Sequence, residues 1–509
     1  MCLHEEHCVA IAHGYAKNAF CDRTPIVLLG ATGPVDAAKR RPWIDWIHNH
    51  TAADQAALIR PFVKFDDQPL SMQASIDSLV RATTLASQIP RAPMYVCLDV
   101  SVQESLLADQ PPVHFPRTER YLHQIDYPPG AATEGVERIH NSLATSSKPL
   151  FLFGRVNRSQ HSWDNRVRLA ERYDARVLRD LKVAAAFPTQ HHLHACAPIV
   201  FCSPQIAEVI RTADVIVSFD WVDLAGTMQA AYPAETEPAA HIVHVSLDSA
   251  LHNGWSKDHF GHQDVDHAVA ADVDKVVSAL LAVPAEAPAV KWRNGWKVSS
   301  PAKPQRNGHH ENVKGDANQA IPVRQQANGV HVSTNGTTHA ETNGLDHEEF
   351  ETSSALANQI STTEIKINGG NTPSQSSEKR IYMSSLASAL NITLDPGKTC
   401  LVRLPLGWKG PDLNATHPLS YLGQDGGAGV GSRPGMTVGA ALALKHHPSH
   451  LLPVAVLGDG DSLMGSTTLW TAGRYRIPLL VVVANNASFF NDEVQPGASR
   501  AGAGATGRK

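Results

Sequence analysis

Short apolar runs closed by glycine or aspartate recur along this chain, and stretches of helical periodicity separate them. The runs at 25–30 (Pro-Ile-Val-Leu-Leu-Gly), 93–99, 149–154, 214–219 and 241–245 carry no polar alternation. A strand without alternation must be covered on both faces, as in a parallel sheet packed between helices. Helical stretches at 71–87, 163–173 and 204–212 lie between them, and 452–460 and 477–486 repeat the pattern further on. The expected fold class is therefore α/β, with three parallel-sheet domains. In sheets of that kind ligands collect at the carboxyl ends of the strands.

One long stretch cannot belong to any such domain. Residues 297–380 are Ser, Thr, Asn, Gly, His, Gln and Glu, with Phe350 the single aromatic and five Asn-Gly dipeptides. So little apolar surface cannot offset the entropy of ordering a chain. A disordered linker is expected there, and it dilutes the apolar residues of the whole chain to 42%. The expected domains are 1–130, 135–287 and 381–509.

Lys plus Arg number 44 against 49 Asp plus Glu, a net charge of −5, which excludes nucleic-acid binding through bulk positive charge. The longest apolar run, 477–484, is far short of a membrane span, so no membrane partner is expected. Seven scattered cysteines without a Cys-x-x-Cys pair read as a reduced, cytoplasmic protein. His191, His192, His194, Cys196 and Cys202 cluster, but their spacing fits no zinc template, and a loop or packing role is expected.

The run at 453–457 leads into Gly458-Asp459-Gly460, and the run after it ends at Asn485-Asn486. Two neighbouring parallel strands would deliver an Asp and an Asn to one sheet edge. Their oxygens are hard ligands of the kind magnesium takes together with phosphate. The glycines beside Asp459 leave room for a phosphate, and a helix start favours negative charge. The alternative is a plain turn followed by a helix cap. A dinucleotide fold is disfavoured, because the stretch Gly427-Ala-Gly429-Val-Gly431-Ser432 lacks the third glycine and no strand precedes it.

Gly-Asp-Gly followed at this interval by Asn-Asn resembles the cofactor motif of thiamine-diphosphate enzymes, in the branch of acetolactate synthases and benzoylformate decarboxylases. The resemblance implies a diphosphate-binding domain over 381–509 in which Asp459 and Asn486 ligate Mg²⁺ by side chain and Ser488 by its carbonyl. Gly458 and Gly460 would border the diphosphate. Val430 matches the apolar residue that wedges under the thiazolium, although it is smaller than the usual Met, Leu or Ile. His4-Glu5-Glu6-His7, followed by Gly14-Tyr-Ala, resembles the pyrimidine-domain motif, and by that match Glu5 is the catalytic acid. A solvated acid at a helix start is the alternative for Glu5. Asp492 stands where some decarboxylases of the family carry an acid near the substrate, and is a proton-relay candidate or a solvated loop acid.

Residues 135–287 resemble the family's central domain, which holds FAD in some relatives and nothing in others; FAD is left open, and no residue indicates it. The resemblance implies a thiamine-diphosphate- and Mg²⁺-dependent enzyme that decarboxylates or ligates 2-keto acids, assembled as a homodimer or homotetramer. A catalytically inactive relative acting only by binding is the alternative. Three departures point to an incomplete reading of a longer enzyme. Only four residues precede Glu5, a strand–helix unit is missing after Lys17, and the tail after Glu493 has no apolar periodicity.

Overall fold

The computed structural model describes residues 20, 23–39, 54–106, 108, 111–116, 130–198, 202–232, 236–248, 261, 263–284, 320–321, 381–405, 407–423 and 430–487. Residues 9–17, whose sequence is helix-like, and all but two residues of 297–380 lie outside them. In the first domain β1 (Val27–Thr32), β2 (Phe65–Asp67) and β3 (Met94–Asp99) form a parallel sheet in the order β1-β3-β2. Helix α1 (Met72–Ser87) crosses between β2 and β3, begun by Ser71, whose hydroxyl accepts the N–H of Ala74. Its buried face is small (Ser75, Ser78, Ala82, Ala86), which lets it lie close on Met94 and Val96. Helix α2 (Val100–Gln103) follows β3 directly.

The central domain alternates throughout: α3 (Thr133–Thr145), β4 (Pro149–Phe153), α4 (Gln160–Tyr173), β5 (Arg176–Arg179), α5 (Pro204–Thr212), β6 (Val215–Phe219), α6 (Leu224–Ala231), β7 (His241–Ser246), β8 (His267–Ala270) and α7 (Val273–Ala282). The sheet order is β5-β4-β6-β7-β8, all parallel. In the domain's own numbering that is 2-1-3-4-5, a doubly wound arrangement whose switch point falls between β4 and β6. Every residue of β4 and β6 is buried, as their unbroken apolar runs require. Phe151, Phe153 and Phe219 meet on one face of the sheet, with ring centroids 5.0–6.0 Å apart. Truncating one of these rings to alanine would cost about 3–5 kcal/mol.

Two residues inside the expected linker do form structure: Ala320–Ile321 (β9) pairs antiparallel with Ile381–Tyr382 (β10). After it come α8 (Met383–Thr393), β11 (Thr399–Arg403), α9 (Ser432–Lys445), β12 (Leu452–Gly458), α10 (Asp459–Met464), α11 (Thr468–Arg474) and β13 (Leu480–Ala484). The C-terminal sheet is parallel, β11-β12-β13. Two helices lie between β12 and β13, the second within the stretch 466–475 whose sequence is helix-like. Gly465 divides them, because a Cβ there would lie 2.5 Å from the carbonyl oxygen of Gly431. The central and C-terminal domains share a core in which Trp163 and Leu181 pack with Leu404, Trp408 and Tyr421. Tyr421 Oη donates to the carbonyl of Leu181 at 3.0 Å, and Ala185 N donates to the carbonyl of Tyr421 at 2.9 Å. Among the described residues no helix is long and apolar enough to cross a membrane.

Candidate functional site

Register brings the C-terminal motif together. Gly458, the last residue of β12, pairs with Ala484, the last of β13. Asp459 and Asn485 are therefore the next residues past the paired ends, and Asn486 lies one further along the same edge. Asp459 opens α10, with Gly458 at its N-cap in an extended conformation. Asn485 folds back on its own turn, its Oδ1 accepting the N–H of Ala487 at 2.8 Å. Ala487 is left-handed (φ 53°), and that turn carries the chain away from the sheet. Asn485 is thus bonded within its own turn, and Asp459 and Asn486 are both partly exposed at the edge.

Space at this edge is kept by what is missing from Gly458: among the described residues, a Cβ there would meet nothing within 4 Å. An open glycine between two oxygen-bearing side chains fits a diphosphate held with a hard cation. The donors are one carboxylate and one amide. Among the described residues there is no group of three His, Cys, Asp or Glu placed to hold a metal. Val430 is described and 45% exposed, immediately before the N-cap of α9. Glu5, Ser488 and Asp492 lie outside the described residues.

One residue of this site escaped the sequence reading. Asp461, in the first turn of α10, is only 5% exposed. Its Oδ1 accepts the N–H of Gly431 at 2.6 Å, and its Oδ2 accepts from Arg433 Nη1 at 2.9 Å. Gly431 sits at φ 96°, where a side chain would be strained. No spacing rule could have linked it to Asp461.

The carboxyl edge of the first sheet is held in a comparable way. Asp99 is buried at the end of β3 and accepts the N–H of Val35 at 2.8 Å and that of Ser101 at 2.7 Å. It fixes the turn Gly33-Pro34-Val35 that leaves β1.

The central switch point is filled by the protein's own side chains. Asp220, 1% exposed and left-handed (φ 55°), follows β6. It accepts from Arg155 Nε at 3.0 Å, from Arg23 Nη1 at 2.7 Å and from Ser246 Oγ at 2.6 Å. Asp248 completes the cluster, accepting from Arg155 Nη2 at 2.6 Å and pairing with Arg23. Burial alone would raise the Asp220 carboxyl, but Arg155 and Arg23 overcome it and hold the group below its usual range. The backbones close over this cluster, with Arg155 N donating to the Asp220 carbonyl at 3.1 Å. These residues do not fit the diphosphate of a flavin dinucleotide.

The histidine cluster is structural where it is described. His191 lies 3.3 Å from Glu171 and accepts the N–H of Leu193 at 3.2 Å. His194 stacks on Phe187. Burial, with the nearby Arg179 charge, pushes His194 down to about 3.

Two stretches of the chain are similar to domains of the thiamine pyrophosphate enzymes. Residues 136–280 match the model of the thiamine pyrophosphate enzyme central domain, and residues 408–503 that of the C-terminal TPP binding domain. Its fold is that of solved thiamine-diphosphate enzymes. Benzoylformate decarboxylase from Polynucleobacter necessarius superposes with a TM-score of 0.65 at 16% identity, over 100% of this chain and 82% of the other. The thiamine diphosphate-dependent 4-hydroxybenzoylformate decarboxylase of Rhodococcus jostii RHA1 gives 0.62 at 15% identity, over 99% and 82%. No curated protein matches the sequence.

Proposed function

We propose that the chain is a thiamine-diphosphate- and Mg²⁺-dependent enzyme that acts on 2-keto acids by decarboxylation, carboligation or both, in the manner of acetolactate synthases. The observation that carries this reading is the pairing of Gly458 with Ala484, which sets Asp459 and Asn486 on one open edge of the domain matched as TPP-binding. Asp459 and Asn486 would hold the metal, joined by the carbonyl of Ser488, and Gly458 and Gly460 would leave the diphosphate its room. Val430 would support the cofactor from the start of α9. Glu5 would take the role of catalytic acid, moving a proton to and from the cofactor's pyrimidine, and Asp492 would relay a proton near the substrate. Thiamine diphosphate, when bound, supplies an electron sink that lets CO₂ leave a 2-keto acid.

The working form would be a cytoplasmic homodimer or homotetramer, with no nucleic-acid or membrane partner. Support for assembly comes from exposed apolar side chains on α10, α11 and β13: Leu463 is 75% exposed, and Trp470, Leu480 and Val483 are exposed as well.

The test is calorimetry of the purified chain with thiamine diphosphate and Mg²⁺, followed by CO₂ release over a panel of 2-keto acids. Binding is expected, with a loss of 100-fold or more in Asp459→Ala while far-ultraviolet circular dichroism is kept. A folded wild-type chain that binds no cofactor would select the other reading, a catalytically inactive relative.

A further inference from the structure

We infer that Asp461 is a positioning residue of the cofactor site, one that fixes where Val430 stands relative to Asp459. The inference rests on the thiamine-diphosphate reading of that edge and deepens it.

An acid two residues beyond Asp459 reads at first as a second metal ligand. The geometry assigns it elsewhere, since both of its oxygens are committed inward. Oδ1 holds the N–H of Gly431 at 2.6 Å and Oδ2 holds Arg433 at 2.9 Å, with the side chain 5% exposed. Hydrogen bonds to a buried carboxylate are short and about twice as strong as neutral ones. The pair of helices is also locked on its far side. A Cβ on Gly431 would lie 2.9 Å from Met464 Cβ, and one on Gly465 would lie 2.8 Å from Pro434 Cγ. The start of α9 and the body of α10 therefore behave as one rigid unit.

That unit carries both cofactor-facing residues. Asp459 is the first residue of α10, and Val430 directly precedes Gly431. A valine is too short to reach a distant thiazolium by choosing another rotamer, so its contact depends on where the backbone places it. Asp461, by holding the Gly431 amide, sets that placement. The same bond explains why the acid must be buried: an exposed carboxylate would be free to follow the metal and would pull the turn with it.

Calorimetry with thiamine diphosphate at saturating Mg²⁺, and near-ultraviolet circular dichroism of the bound cofactor, test this on the full chain. Asp461→Ala is expected to weaken cofactor binding at least 10-fold and to change the spectrum of the bound cofactor, at a temperature where the fold is intact. Asp461→Asn keeps an oxygen for the Gly431 amide and is expected to recover binding to within threefold of wild type. Should the alanine variant not fold, Asp461→Glu takes its place, since it keeps a carboxylate for Arg433 and displaces Gly431 by one methylene. It must show the same 10-fold loss. A folded Ala or Glu variant that binds within twofold of wild type with an unchanged spectrum overturns the inference, even if it melts lower. A wild-type chain that binds no cofactor overturns the reading of the whole site instead, and this inference with it.

Discussion

At the carboxyl edge of the central sheet, β4 runs into Gly154 and β6 into Asp220, and the two backbones touch. A Cβ on Gly154 would fall 1.9 Å from the Asp220 carbonyl oxygen and 2.7 Å from Trp221 Cα. At the carboxyl edge of the C-terminal sheet, Gly458 holds the equivalent place at the end of β12, and among the described residues a Cβ there meets nothing within 4 Å. Both edges begin from parallel strands of almost unbroken apolar sequence, and both place a glycine where a ligand crevice belongs. One crevice is closed by Arg23, Arg155, Asp220 and Asp248, a cluster whose formal charges cancel. The other, among the described residues, is left open between Asp459 and Asn486. A sheet edge of this kind becomes a site only when the connections leaving its strands part. Where they pack instead, the same position serves as a fastener, here joining Arg23 of the first domain to the central one.

The sharpest way to break this comparison is a matched pair of glycine substitutions. Gly154→Ala pushes a methyl group into backbone that cannot retreat, so a loss of about 3 kcal/mol or more is expected in urea unfolding. Gly458→Ala has an extended backbone and open space, so a change within about 0.5 kcal/mol is expected. Its cost should fall on thiamine-diphosphate affinity, measured by calorimetry. Equal destabilisation by the two would mean that the edges do not differ as described.

Acid offers a smaller, graded test of the closed side. His194 sits against β5, bridged to Val177, and burial is the main reason its folded state stays neutral down to about 3. The unfolded imidazole takes its proton near pH 6.5. The unfolded state therefore binds more protons below that pH, so the contribution is whole above 6.5 and is lost progressively as pH falls toward 3. Roughly 2 kcal/mol should go between pH 6.5 and 5, at about 1.4 kcal/mol per unit. His194→Phe, which keeps a ring against Phe187, should flatten this limb of the stability–pH curve. An unchanged slope would place the acid sensitivity elsewhere.

How much of this could be read from residues alone follows from what each feature depends on. β4 and β6 were legible because five consecutive buried residues leave a local mark. β5 and β8 were not: Arg176-Val-Leu-Arg179 and His267-Ala-Val-Ala270 are short, with basic ends. Arg179 is in fact buried, its guanidinium making no hydrogen bond among the described residues, and burial pushes it down to about 10. Asp459 and Asn486 were legible because a motif of fixed spacing spans one crossover, and the register then carries both residues to the same edge. The hold of Asp461 on Gly431 and that of Arg23 on Asp220 join residues far apart in sequence, 30 and 197 positions. Nothing local distinguishes such an acid from a solvated one. Gly460 lowers helix propensity across 459–464, yet Asp459 and Asp461 in the first turn favour the helix that forms there.

The smallest expected effect is none at all, and it tests the closed edge most directly. A flavin dinucleotide at a doubly wound switch point needs the loops after the first and third strands to part around its diphosphate. Here those loops are joined, Gly154 N to the Phe219 carbonyl at 3.0 Å and Arg155 N to that of Asp220 at 3.1 Å. The cluster beneath already pairs its two arginines with carboxylates. Opening it would leave buried charges uncompensated, at about 3–5 kcal/mol for a broken pair, before any contact with flavin is made. The purified chain should therefore show no flavin absorbance, and added FAD should leave its melting temperature unchanged. Removing the fastener with Arg23→Met should loosen the first domain to limited proteolysis without creating flavin affinity, because Arg155 still holds Asp220 across the closed backbone. Bound flavin in the wild-type chain would mean that the edge opens, and that the two glycines differ in degree rather than in kind.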